Sequence, residues 1–121
     1  MNYMRLTEKK LPKEKERELK ERLYQLLVDI KNEKEAMAFC RGILSPGEEM
    51  AIAKRLGIFA ELEKGASYAR VRKSFLVSPA TVARFKRQVN QPEVKLIIKK
   101  IAIDEWAGNW EKKIKKLIKA S

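Results

Sequence analysis

The chain has 121 residues, with 28 Lys and Arg against 16 Asp and Glu, no histidine and one cysteine. That length suits a single domain, the lone Cys40 excludes an intramolecular disulfide and the missing histidine leaves no zinc ligand set, and no apolar run reaches the ~18 residues of a membrane span. The net charge of +12 points to a polyanionic partner, nucleic acid before an anionic membrane surface.

Met1–Leu11 is polar and charged, lacks the apolar core of a signal peptide, and reads as a loosely ordered arm. The expected location is therefore cytoplasmic. From Pro12, the residues Leu19, Leu23, Leu26, Leu27 and Ile30 recur at helical spacing, with Lys and Glu filling the other face. Asn32 followed by Glu35 has the form of a capping box, so a second helix is expected from about Glu33, carrying Ala36, Phe39, Cys40 and Ile43.

Ser45-Pro46-Gly47-Glu48 is the clearest helix start in the chain. Ser45 caps, Pro46 suits the first helical position, and Glu48 bonds back while meeting the positive end of the helix dipole. The helix is expected to run through Ile52, Leu56, Phe59 and Leu62 and to stop at Gly65. Ser67 then caps a short helix with Tyr68, Val71 and Phe75 on one face. Ser78-Pro79 repeats the cap-plus-proline device, and Val82, Phe85 and Val89 form the buried stripe of the next helix. After the break at Asn90-Gln91-Pro92, a last helix carries Val94, Ile97, Ile98 and Ile101 and continues past Trp106, Gly108 and Trp110 to Ile114, Leu117 and Ile118. Strand-like alternation is missing, so the expected fold is all-α with five to seven helices. It divides into the arm at 1–11, a helical domain at 12–91 and a basic amphipathic extension at 92–121. Apolar residues make up 45% of the chain but aromatics only 7%, a lean core of the kind that a second copy completes.

Charge is concentrated rather than uniform. The stretch from Lys64 to Gln91 holds no Asp or Glu and carries +7, whereas Leu44–Glu63 is net −2. Within the basic stretch, helix, short turn and helix follow one another as in a helix-turn-helix, whose second helix enters the DNA major groove. Its second helix has the required two faces: Val82, Phe85 and Val89 point one way and polar or small residues the other. Pro79, Ala80, Thr81, Ala83 and Arg84 are the expected base readers. Ala80 and the Thr81 methyl suit thymine methyls, and Arg84 suits a bidentate pair with guanine. Arg70, Arg72, Lys73, Lys86 and Arg87 suit phosphates, and Ser78 at a helix N-terminus adds backbone N–H donors there. A merely solvated face usually mixes signs, so the lack of acids favours DNA. Leu76 stands where such a turn commonly has glycine. A left-handed conformation is costly for leucine, so a wider or differently shaped turn is expected.

Other candidates for chemistry are weak. Glu48 and Glu49 are first-turn dipole residues rather than an acid/base pair, and Cys40 is a buried structural thiol without an activating histidine. Trp106 and Trp110, four residues apart, suit packing in the core or a dimer. Lys112, Lys113, Lys115, Lys116 and Lys119 surround Ile114, Leu117 and Ile118 in an amphipathic helix for which packing plus non-specific DNA contact is expected. No enzyme is expected, no metal site, and no membrane partner.

Phe39-Cys40-Arg41, Leu44-Ser45-Pro46, Glu48-Glu49, Arg55, Leu62-Glu63-Lys64-Gly65, Ser67-Tyr68 and Ala80-Thr81-Val82-Ala83-Arg84 occur in the order, and nearly at the spacing, of one known family. Over about Phe39 to Asn90 the chain resembles the tryptophan repressor superfamily, and most closely its YerC/YecD-like branch. The resemblance implies an intertwined all-helical homodimer, double-stranded DNA as partner, and a transcriptional regulator, most often a repressor, acting on a palindromic operator. It also implies a ligand pocket. Arg55 and Arg84 match the two arginines that hold tryptophan in the tryptophan-binding members, and Ser45 matches a threonine of that site. The position after the second arginine is glycine there, leaving room for the indole, but here it is Phe85. The YerC-like branch also carries a larger residue. DNA binding without cofactor or corepressor is therefore expected. The alternatives are a tryptophan-responsive operon repressor and, from another class, a non-sequence-specific nucleic-acid-binding or adaptor protein.

Overall fold

The structure is a computed structural model that describes residues 9–120, with the backbone alone for 103, 104, 106, 107, 109–111 and 120. The expected N-terminal arm thus falls largely outside the described residues. Among these there are six helices and no strand: α1 (Lys13–Asp29), α2 (Glu33–Ile43), α3 (Pro46–Glu63), α4 (Tyr68–Phe75), α5 (Pro79–Gln88) and α6 (Pro92–Ala120). The all-α expectation holds.

Local chemistry starts most of these helices. The Glu35 N–H donates to Asn32 Oδ1 at 2.9 Å at the head of α2, and the Arg70 N–H donates to Ser67 Oγ at 3.1 Å at the head of α4. At α3 the device is reciprocal: the Glu48 N–H donates to Ser45 Oγ at 3.1 Å while the Ser45 N–H donates to the Glu48 carboxylate at 2.8 Å. Each such cap satisfies a helix-end N–H that has no partner within the helix. Glu48 is therefore a capping residue, as its spacing from Ser45 implied. Gly65 ends α3 at φ +89°. Its N–H donates to the Leu62 carbonyl, and the Ala66 N–H to the Glu61 carbonyl, a closure that needs a residue at ease with positive φ.

The chain divides into two compact units, residues 1–50 and 51–121. In the first, neither α1 nor α2 contains a buried residue. Leu19, Leu23, Leu26 and Leu27 recur at the expected spacing yet remain exposed, as does Ile43, while Phe39 and Cys40 are half-buried. A buried thiol at Cys40 is thus not found. A pair of helices by itself encloses too little volume to exclude water from an apolar stripe.

The second unit has the core: Ile58, Phe59, Leu62, Val71, Val82, Phe85, Val89 and Ile98, with Ala66, Phe75, Val77 and Val94 packed against it. The α5 stripe of Val82, Phe85 and Val89 is buried as expected. On α3 the burial phase differs from expectation, because Ile58 is fully buried and Ile52 and Leu56 are exposed. The α4–α5 pair packs against Ile58, Phe59 and Leu62, whereas Ile52 and Leu56 line an open groove of about 270 Å³ with Val94, Ile97, Ile98 and Ile101 of α6. Tyr68 is likewise exposed, leaving Val71 and Phe75 to anchor α4. A Cβ on Gly57 would lie 2.7 Å from the Phe75 ring, so the absent side chain is what lets α4 seat this closely on α3.

Candidate nucleic-acid interface

α4 and α5 are joined by Leu76, Val77 and Ser78. Leu76 adopts φ 55° and ψ 51°, the left-handed conformation that its side chain disfavours, and its N–H donates to the Arg72 carbonyl. The Val77 N–H reaches the same carbonyl at 3.3 Å. The expectation of a wider turn is thus corrected: the chain closes the turn as glycine would, at a conformational cost of roughly 1–2 kcal/mol. The Leu76 side chain is 83% exposed, so its own burial offsets little of that cost. The two hydrogen bonds and the packing of the flanking helices hold it there.

α5 starts at Ser78, whose Oγ accepts from the Thr81 N–H at 3.1 Å and lies 2.9 Å from Thr81 Oγ1. Thr81 is half-buried and its hydroxyl engaged in this cap, leaving its methyl as the group available to a partner. Pro79, Ala80 and Arg84 are exposed, and Ala83 is half-buried. Arg87, expected at a phosphate, lies three residues beyond Arg84 and seven beyond Ala80, so by helical phase it shares their face. Helical phase alone could have placed it there.

The cations are available. Lys64 pairs with Glu105 at 3.3 Å and Lys95 with Glu63 at 3.4 Å. Among the described residues no ion pair engages Arg70, Arg72, Lys73, Arg84, Lys86 or Arg87. All six are exposed, on two helices packed against each other. The side chains of Trp106 and Trp110 lie outside the described residues.

Beneath this surface sits the Phe85 ring. It meets Phe59 edge-on, with centroids 4.9 Å apart and planes at 84°. The Arg84 guanidinium stands 5.4 Å from the ring centroid and that of Arg55 stands 5.9 Å from it. Three of the four expected pocket residues are thereby brought together, around an aromatic side chain that is itself buried. Ser45 belongs to the other unit, where it caps α3. A cation over a ring is attracted by the negative π face. The ring thus attracts the exposed Arg84 guanidinium towards this side of α5. Sequence reasoning did not assign Phe59 to this cluster, although its position four residues after Arg55 puts both on one side of α3.

The family model described as Trp repressor protein matches residues 18–101 of the chain. Comparison with curated proteins finds no match, and neither does comparison with solved structures.

Proposed function

The chain belongs to the Trp repressor family, and from that premise we propose that it is a sequence-specific DNA-binding regulator of transcription, acting as a cytoplasmic homodimer and as a repressor. The observation that carries this reading is the exposed, acid-free face of α4 and α5, with six cations in no ion pair around a helix that presents Ala80 and Arg84. Arg84, and Arg87 one turn on, reach base edges, with Pro79, Ala80, Thr81 and Ala83 shaping the approach. Arg70, Arg72, Lys73 and Lys86 grip phosphates, and the N–H groups at Ser78 add a further contact.

A second copy supplies what each unit lacks. The stripe of α1 is exposed along its whole length, and the groove between α3 and α6 is lined almost wholly by apolar side chains. Apolar surface on this scale marks a protein interface. A two-fold dimer then sets two copies of α5 about 34 Å apart, one turn of DNA.

We further propose that the protein needs no tryptophan. What supports this is the Phe85 ring, buried against Phe59 and within 6 Å of both Arg55 and Arg84, the arginines that the resemblance matches to the tryptophan site. The larger residue at this position supports reading the chain as one of the YerC/YecD-like branch. The test is a titration of the protein onto random and selected duplexes, with and without tryptophan. Selected sequences should bind at least a hundredfold tighter than random ones at moderate salt, with no change on adding tryptophan. Equal affinity for all sequences would replace this reading with a non-specific nucleic-acid-binding protein, and a large gain with tryptophan would restore a corepressor.

A further inference from the structure

The apolar side of α6 changes face partway along a single unbroken helix. In its first turns Val94, Ile97, Ile98 and Ile101 follow helical spacing, and this side meets the body of its unit: Ile98 is buried and Val94 packs on the core. The next apolar series in the sequence is Ile103, Trp106, Trp110, Ile114, Leu117 and Ile118, again at steps of three and four. The step from Ile101 to Ile103 is two residues, a rotation of about 200° on a helix. By helical register Ile114, Leu117 and Ile118 stand on nearly the opposite side of the helix from the first series. Ile114, Leu117 and Ile118 are indeed exposed, at 50%, 70% and 68%.

On the other side of the same turns stand Lys112, Lys113, Lys115, Lys116 and Lys119, all exposed, with no acid between Lys112 and Ser121. They occupy an arc of roughly 160° and the apolar residues an arc of roughly 100° opposite. The family match ends at residue 101, before this segment begins.

We propose that the C-terminal half of α6 is an interfacial helix that lies in the plane of an anionic lipid surface. Its apolar stripe enters the acyl boundary and its lysines meet the headgroups, the arrangement by which basic amphipathic helices bind such surfaces. Charge and composition select this occupant. A DNA flank would use the lysines but leaves the opposite apolar stripe in water. A second copy of the same helix would bring two lysine-rich, acid-free segments to one seam. The segment also contains lysine alone, a hydrated point charge suited to a diffuse anionic surface, whereas the α4–α5 face has four arginines, whose planar forks suit directed phosphate and base contacts. No helix among the described residues is long and apolar enough to cross a membrane, which agrees with in-plane binding.

The test is flotation of the full chain with vesicles of phosphatidylcholine alone or mixed with phosphatidylglycerol. Binding is expected to the anionic vesicles only, and to weaken as salt rises. The Lys115→Gln/Lys116→Gln variant should bind them about thirtyfold more weakly. Ile114→Asn should lose at least tenfold, with helix content and DNA affinity unchanged in both variants. Equal binding to neutral vesicles, or full binding by Ile114→Asn, overturns the proposal. So does a lysine variant that loses DNA affinity while the wild type ignores vesicles, which makes the tail a DNA contact. Dissociation of a dimer by Ile114→Asn without any vesicle binding overturns it in favour of a second copy.

Discussion

Replacing Phe85 by alanine tests whether this side chain stands in for a ligand. The ring is only 5% exposed, so its removal returns roughly 120 Å² of apolar contact to solvent or void, about 3 kcal/mol at ~25 cal/mol per Å². The edge-on contact with Phe59 adds about 0.5–1.5 kcal/mol, and each guanidinium over the ring about 0.5–1 kcal/mol at these exposed arginines. Relaxation around the gap recovers part of this, so the expected loss is about 3–5 kcal/mol, in line with other buried Phe→Ala changes. In a chain of this size it lowers Tm by roughly 10–20 °C. The emptied space lies beside Arg55 and Arg84, so tryptophan or indole should raise the Tm of the variant. At a hundred times its Kd such a ligand returns ~2.7 kcal/mol. The wild type should not respond. Phe85→Leu guards against outright unfolding: it keeps the bulk but loses the ring contacts, at a cost of about 1.5–3.5 kcal/mol. Thermal unfolding followed by circular dichroism, with and without each ligand, reads all of this. A Phe85→Leu protein as stable as wild type, or a wild type that tryptophan stabilises as much as it stabilises Phe85→Ala, would refute the reasoning.

Arg84→Ala should reduce discrimination between selected and random duplexes by ~1–3 kcal/mol, whereas Lys73→Ala should weaken all sequences alike and flatten the salt dependence of binding by about one phosphate contact; binding isotherms at several salt concentrations separate the two. Gly57→Ala and Gly42→Ala make the same chemical change in helices with opposite surroundings. A Cβ at Gly42 meets nothing within 4 Å, so that change should stabilise by up to ~1 kcal/mol through helix propensity. At Gly57 the Phe75 ring must move, and overpacking of this kind costs about 1–3 kcal/mol, so urea midpoints should shift in opposite directions. Ser78→Ala removes the cap on α5 and should cost about 1 kcal/mol; a loss of DNA affinity beyond what this destabilisation explains would show that the N-terminus of α5 also serves a phosphate.

Helix starts were legible because capping is local. Asn32, Ser45, Ser67 and Ser78 each accept from an N–H three residues on, and no distant part of the chain takes part. The α5 stripe was legible because that helix has apolar side chains on one side only. α3 was not, because Ile52 and Leu56 on one side compete with Ile58 on the other, and the choice depends on which helices arrive from elsewhere. The left-handed Leu76 was missed for a related reason. Its intrinsic cost is local and visible, but the packing of α4 on α5 that outweighs it is not. Leu19, Leu23, Leu26 and Leu27 mark the reverse case. Their spacing marks an apolar face correctly, but spacing does not say whether that face is covered, and here it is exposed.

The placement of Phe85 joins two properties that a helix-turn-helix could keep separate. On α5 the core side and the reading side are set by helical phase, so core substitutions would ordinarily change stability and leave recognition alone. Here the aromatic at the core side lies within cation–π reach of the guanidinium next to it in sequence, 5.4 Å from ring centroid to Cζ. On the proposed reading, this attraction would remove part of the freedom that Arg84 loses on meeting a base, which would favour a bidentate contact over a diffuse phosphate contact. Phe59 positions the ring and α3 positions Phe59. If Arg84 reads a base as proposed, a substitution at Phe59 on the central helix should change sequence discrimination as well as stability.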